Sequence, residues 1–319
     1  MRLLCLFSAF SAAAVINALA ADYPARPVRI VVAYPAGGPV DITARALAPK
    51  LTEAFGQPVV IDNRGGAGGI VGSDLVAKSA PDGYTLLMCT TANAINASLV
   101  LRLPYDLKKD FTAVMQLVII TSVVVVHPSL PIQSIKELIA YAKSNPGKLS
   151  YASTGNGTPT HLAAELFKTM TGVDMVHVPY KGAAPAVVDL ISGQTQVSFI
   201  SAPGVIPHLK AGRLRAIAVT NAKRSALLPE LPTVAETGVA GFESEGWHGL
   251  FAPANTRKPV VDRLHQEFAK VLRSPDTSAY LLSAGAEPTP LPPAQFETKV
   301  HNEIARWAKV VKAANMKID

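Results

Sequence analysis

Several short stretches rich in Gly, Ser, Thr and Asn stand between an apolar run and a helical pattern. That combination can hold an anion without a charged side chain. The first is Ala36-Gly37-Gly38, leading into Pro39-Val40-Asp41. Its glycines let a ligand approach the main chain with no Cβ in the way. The helix start behind them directs unpaired N–H groups and a positive dipole end outward, the dipole alone contributing about 0.3–1 kcal/mol. Asp41 reads as the N-cap of that helix; the plainer reading is a tight turn that only caps. The most informative stretch is Ser153-Thr154-Gly155-Asn156-Gly157-Thr158-Pro159-Thr160-His161. Thr158 as N-cap and Pro159 as first helical residue fix the helix start, and the residues ahead of it offer hydroxyls, an amide and open main chain. His161 suits a structural role as well as a ligand contact. Thr91 either faces the same ligand or helps cap the next helix. Lys181 adds positive potential or is simply solvated, and Ser201 ends a further strand. These residues form one expected set, gripping a carboxylate through neutral donors.

Other constellations lead elsewhere or nowhere. Asn63-Arg64-Gly65-Gly66-Ala67-Gly68-Gly69 suggests a dinucleotide loop, but its glycine spacing is not G-x-G-x-x-G and no acidic residue ends the next strand. Arg64 pairs with a substrate carboxylate or with an Asp such as Asp41 or Asp62. Trp247 and His248 wall a cleft or sit in the core. There is no G-x-S-x-G elbow, no H-E-x-x-H and no paired Cys or His at metal spacing, and the seven His are dispersed. The expectation is a binding protein, not an enzyme, with no metal and no cofactor.

The elements that would carry these loops alternate. Val28 to Tyr34 is β-branched without alternation, as in a strand buried on both faces. Ile42, Ala46, Leu47, Leu51 and Phe55 follow at helical spacing, then a strand at Pro58–Asp62, a helix at Ile70–Ser79 and a strand at Tyr84–Cys89. Such alternation predicts a parallel sheet covered on both sides. Phe111 to His127 reads as two strands with the chain crossing between domains near Thr121-Ser122. A second alternating unit runs to a strand at Leu214–Thr220, and the tail adds a strand at Trp247–Phe251, a helix at Pro259–Leu272 and a last helix from Pro293 to about Ala314. The fold class expected is α/β, two Rossmann-like lobes around a central cleft. One is discontinuous (21–121 plus 222–319) and the other inserted (122–221). Open α/β sheets bind ligands at the strand ends that face such a cleft.

Residues 1–20 read as a cleavable signal peptide: Met1-Arg2, an apolar run from Leu3 to Val15, and Ala18-Leu19-Ala20 for a signal peptidase. The run is short of the about 20 residues of a membrane span. The expected destination is the periplasm. Only Cys89 remains after cleavage, so no internal disulfide is possible, and its apolar strand suits an inert core thiol. The net charge of +7 comes from scattered Lys and Arg with no run of five, and aromatics are 6%. Those features argue against nucleic acid and suit a surface that favours anionic solutes.

At the level of motifs the chain resembles the substrate-binding receptors of tripartite tricarboxylate transporters, the Bug family. The matching stretches are PAGGPVDITAR at Pro35–Arg45, DNRGGAGGIVG at Asp62–Gly72 and LPYDLKKDFTAV at Leu103–Val114. They continue with YASTGNGTPTHLAAELFK at Tyr151–Lys168, HVPYKGAAPAVVDLISGQ at His177–Gln194 and LKAGRLRAIAVT at Leu209–Thr220. LPTVAETGVAGFE at Leu231–Glu243 and WHGLFAPANT at Trp247–Thr256 complete them. The resemblance implies a type II periplasmic-binding-protein fold, monomeric. Its two lobes would close on a carboxylate held by main-chain groups and waters near Ala36–Gly38 and Thr154–Thr158. Partners implied are the membrane permease subunits, or a sensor kinase if the receptor presents its ligand for signalling. Two departures stand out: Asp62 where the family usually has Glu, and Ser201-Ala202-Pro203-Gly204 in place of more polar residues. The second weakens the case for an amino-acid ligand, whose ammonium needs an acceptor.

Overall fold

The computed structural model describes residues 23–316; the expected signal peptide lies outside them. Val28 to Val32 forms β1, and its burial on both faces is what the β-branched run requires: Ile30 and Val32 enter one apolar cluster, Val31 another. The first lobe continues with α1 (Pro39–Phe55), β2 (Val59–Asn63), α2 (Ile70–Ala77), β3 (Thr85–Thr90), α3 (Thr91–Leu99) and β4 (Phe111–Ile120). The second holds β5 (Ser122–Val126), α4 (Ile135–Ser144), β6 (Ser150–Ser153), α5 (Pro159–Thr171), β7 (Val176–Pro179), α6 (Ala183–Ile191), β8 (Val197–Ser201), α7 (Ile206–Lys210) and β9 (Arg215–Val219). The chain then returns as β10 (Gly246–Pro253), α8 (Lys258–Leu272), α9 (Pro275–Ser283), β11 (Ala286–Leu291) and α10 (Pro293–Ala313).

The strands form two sheets, ordered β11-β4-β10-β3-β1-β2 and β7-β6-β8-β5-β9. Neither is wholly parallel, which corrects the sequence expectation. β1 pairs parallel with β2 and β3, but β10 runs antiparallel to β3 and β4. In the second sheet β5 runs antiparallel to β8 and β9. The reason is the crossing itself. β5 and β10 each enter a lobe from the cleft side, while β1, β3, β6 and β8 end there, so an entering strand must run the other way. Between β9 and β10, residues 221–245 first follow the second lobe, where Thr233 bridges to Val219. The turnover at Thr121 is held by hydroxyls: its Oγ1 bonds the Ser225 hydroxyl at 2.8 Å, and the Ser225 hydroxyl donates to Glu287 at 3.0 Å.

α9 and β11 were not anticipated. β11 carries Pro288 and Pro290, which suit a strand only at an edge, and β11 lies at the edge of its sheet. Apolar packing is continuous across the lobes, one cluster joining Val31, Trp247 and Phe296 to Tyr151, Phe167 and Phe199. The lobes also touch where Gly285 meets Pro203: a Cβ on Gly285 would lie 1.8 Å from the Pro203 ring. Cys89 is fully buried, which raises its thiol pKa well above the usual value and makes it inert.

α10 docks on β10 through Phe296, whose ring sits where a Cβ on Gly249 would be, 2.2 Å from Cζ. Overpacking of this kind costs about 1–3 kcal/mol. Gly249→Ala should therefore destabilise the protein by that amount in denaturant unfolding, and adding Phe296→Leu should recover part of it. An unchanged midpoint for the single variant would refute this packing.

Candidate functional site

The β1–α1 joint differs from expectation in its cap. Gly38, not Asp41, is the N-cap residue, and Pro39 occupies the first helical position. Asp41 instead sits buried in the first turn, where its carboxylate accepts the Gly37 N–H at 2.8 Å, the Asn63 amide at 3.0 Å and the Arg45 Nε at 2.9 Å. Burial pushes the Asp41 carboxyl up, but the bonds from Arg45, Gly37 and Asn63 outweigh it and hold the pKa below the usual carboxylate value. Asp41 is thus the brace of the joint, and the Gly37 N–H is spent on it. Gly37 has φ +80°, and nothing lies within 4 Å of where its Cβ would be, so Ala36–Gly38 forms an open, left-handed corner. Pro39 has no N–H, and Ile42 already donates to Gly38. The helix donors left without an intrahelical partner are those of Val40 and Asp41.

The β6–α5 joint repeats the plan in the other lobe. Thr158 is the N-cap and Pro159 comes first, as the sequence predicts. The hydroxyls here serve the loop. Thr158 Oγ1 donates to Gly155 O at 2.7 Å, and Thr160 Oγ1 bonds both Thr154 and Thr158. Gly157 N–H donates to His161 Nδ1 at 3.1 Å, and Ser153 Oγ bonds His177 Nε2 at 2.7 Å. The two imidazoles stack with centroids 3.7 Å apart. His161 is driven down to about 4, first by burial and then by His177. It is a neutral acceptor that fixes the loop. Asn156 is exposed at its tip.

These joints open on a cavity of about 440 Å³ between the lobes. Four helix starts contribute to its lining: Pro39 and Val40 of α1, Thr91 of α3, Pro159 and Thr160 of α5, and Ala183 of α6. Two come from each lobe, and each directs the positive end of a helix dipole inward. Of the expected set, Thr91, Thr154 and Ser201 reach the lining. Ala36, Gly37, Gly38, Asp41, Ser153, Gly155, Asn156, Gly157, Thr158 and His161 shape the two joints behind it. Lys181 is exposed and outside the lining. Thr91 lines the cavity and does not cap the helix. It starts α3 behind the capping residue Thr90, and its hydroxyl donates to Glu245 O and accepts the Trp247 N–H. Arg64 is an ion-pair residue, 2.9 Å from Asp62.

The lining also contains residues that the sequence reading missed: Val40, Ile120, Phe199, Ile200, Trp307 and Glu245. Strand-end apolar residues look like core in sequence, and only the facing lobe makes them walls. Trp247 belongs to both worlds: fully buried, it lines the cavity and donates its Nε1–H to Glu303 at 2.8 Å. Burial raises the Glu303 carboxyl to about 7. His248, buried against Thr43, is pushed down to about 3 by burial and is neutral. Among the described residues no group of three or more His, Cys, Asp or Glu could hold a metal, and no helix is long and apolar enough to cross a membrane.

Residues 43–316 match the model of the tripartite tricarboxylate transporter family receptor. Protein BugT of Bordetella pertussis is 38% identical over 321 residues, covering 99% of this chain and 98% of the relative. Among solved structures, R. palustris Rpa4515 with adipate is 40% identical, with a TM-score of 0.77 over 93% of this chain and 99% of that one. MatC from Rhodopseudomonas palustris with bound malate is 31% identical, with a TM-score of 0.72 over 91% and 100%. The two-lobed fold and the shared motifs agree with these matches along nearly the whole chain: it belongs to the tripartite tricarboxylate transporter receptor family, among the Bug proteins.

Proposed function

We propose that this receptor captures a small carboxylate in the periplasm by closing its lobes, and delivers it to the membrane subunits of a tripartite transporter, catalysing nothing. The observation that carries this reading is the meeting of four helix starts, two per lobe, around one cavity. A carboxylate there gains unpaired N–H donors and several dipole ends at once. Closure excludes water and strengthens each of those contacts. The relatives solved with adipate and malate support the same ligand chemistry.

A carboxylate that binds should stabilise the protein by about 2.7 kcal/mol at 100 times its Kd, read as a saturable rise in Tm, while its neutral amide should not. A broad carboxylate panel giving no rise would end the binding proposal. Deleting the gene should abolish uptake of the bound compound; normal uptake would end the delivery proposal.

Gly37→Val places a β-branched side chain at φ +80°, with open space around it but a strained main chain. The Ala36–Gly38 corner should shift, weakening binding at least about tenfold, or about 1.4 kcal/mol, with the far-ultraviolet spectrum preserved. Unchanged affinity in calorimetry would remove this corner from the site.

His161 predicts a pH window. Its folded pKa of about 4 lies below the ordinary 6.5, so the unfolded chain binds more protons between those values. The contribution of this group to stability should fall as pH drops from 6.5 towards 4, by no more than about 3 kcal/mol, and level off below. Tyr151, Glu165, Lys168 and His177 face the ring or its neighbours and set the window with it. His161→Asn should flatten part of the Tm profile across that range; an identical slope would assign the effect elsewhere.

A further inference from the structure

One face of α10 clasps the segment by which the chain returns to the first lobe. Lys299, Glu303 and Trp307 recur at every fourth residue of that helix and stand one above the other. Lys299 forms an ion pair with Glu245 and donates to Gln116 at 2.8 Å. Glu303 accepts the Trp247 Nε1–H at 2.8 Å. Glu245, Trp247 and Trp307 all line the ligand cavity, so Glu303 is set directly behind its wall. The carboxyl is sealed there. Glu303 is 2% exposed, and its Oε1 has no hydrogen-bond partner among the described residues. Arg306 comes within 3.5 Å of that oxygen without hydrogen-bonding it, and it also faces Glu243 at 3.6 Å.

We propose that Glu303 is a proton-binding site coupled to the cavity, so that this receptor takes up a proton together with its anion. The coupling rests on the reading of the cavity as a carboxylate site. Two cations, Lys299 and Arg306, face three carboxyls, Glu243, Glu245 and Glu303, so the cluster balances when one carboxyl is protonated. Glu303 is the most enclosed of the three. Burial lifts its carboxyl to about 7 against the pull of Arg306, the Trp247 N–H and Lys299, and Glu245 adds to the rise. Of the other elements packed on α10, α3 and β4 carry no ionisable side chain, and β10 brings the neutral His248. His161, Glu165 and Lys168 of α5 gather about Tyr151, while Tyr105, Asp106, Lys108 and Asp110 flank the helix at Ile304. An anion arriving in front of Trp247 and Trp307 repels an ionised Glu303 and favours the neutral acid. Ligand and proton therefore assist each other's binding, and affinity falls as pH rises through the range in which Glu303 ionises.

Trp247 and Trp307 are the two tryptophans of the chain and both belong to this cluster, one bonded to Glu303 and the other under Arg306. Intrinsic fluorescence therefore reads the proton directly. In the full mature chain, unfolded and refolded to remove any ligand carried from the cell, emission should titrate with a midpoint near 7. Glu303→Gln keeps an acceptor for Trp247 but holds the neutral form, and it should remove that step. No step between about pH 6 and about pH 8, or the same step in the variant, would overturn the proton site. Malate, adipate, benzoate and phenylacetate then serve as probes, and the tightest of them in calorimetry is carried forward. It should raise the midpoint by about 0.7 of a pH unit or more, and lose affinity about fivefold or more from about pH 6 to about pH 9. Its binding to Glu303→Gln should not change in that way. A midpoint that the bound probe leaves in place, or the same loss of affinity in the variant, would overturn the coupling while the carboxylate reading stands. If none of the four binds at any pH, the carboxylate reading falls and takes the coupling with it, and the ligand-free titration alone decides the proton site.

Discussion

A helix leaves the first N–H groups of its main chain without internal partners, and this protein arranges its architecture around where those groups point. α1 and α3 from one lobe and α5 and α6 from the other begin at the same cavity. Pro39 and Pro159 open their helices in the same way, removing one donor and presetting φ, so the unpaired groups are those of the next residues. The polar side chains of the preceding loops are turned to bracing. Asp41 gathers Gly37, Arg45 and Asn63, and His161 takes the Gly157 N–H. The side chains thus brace the joints, and the helix starts and apolar strand ends between them line the cavity.

The sheets serve that arrangement. Strands that end at the cleft deliver helix starts to it, while β5 and β10 begin there and carry the chain into the opposite lobe. The cost is a pair of mixed sheets and a buried turnover at Thr121, whose hydroxyl, like that of Ser225, is satisfied by a neighbour. Because one apolar cluster spans both lobes, the cleft is backed by packed side chains and not by a bare linker.

Much of this was legible in the sequence, for identifiable reasons. β1 was readable because Val28 to Val32 is apolar without alternation, and α10 because Phe296, Val300, Trp307 and Val311 recur at helical spacing and are all buried. Thr158-Pro159 announced a helix start in one lobe. Asp41 misled because Asp is a favoured cap, yet a glycine two residues before the helix's first free donor took that place and left the carboxylate for Arg45. The walls were not legible at all. Phe199 and Ile200 differ in no local way from core residues, and they become lining only because another part of the chain stops short of them. The proline-bearing β11 was hidden for the opposite reason: edge position, a tertiary fact, is what lets two prolines stand in a strand.

The contact between Gly285 and Pro203 carries a mechanical meaning. A proline ring from one lobe rests where a side chain on the other would have to be. The seam therefore holds the halves at the thickness of bare backbone, and a single added carbon atom at position 285 would have to wedge the ring aside.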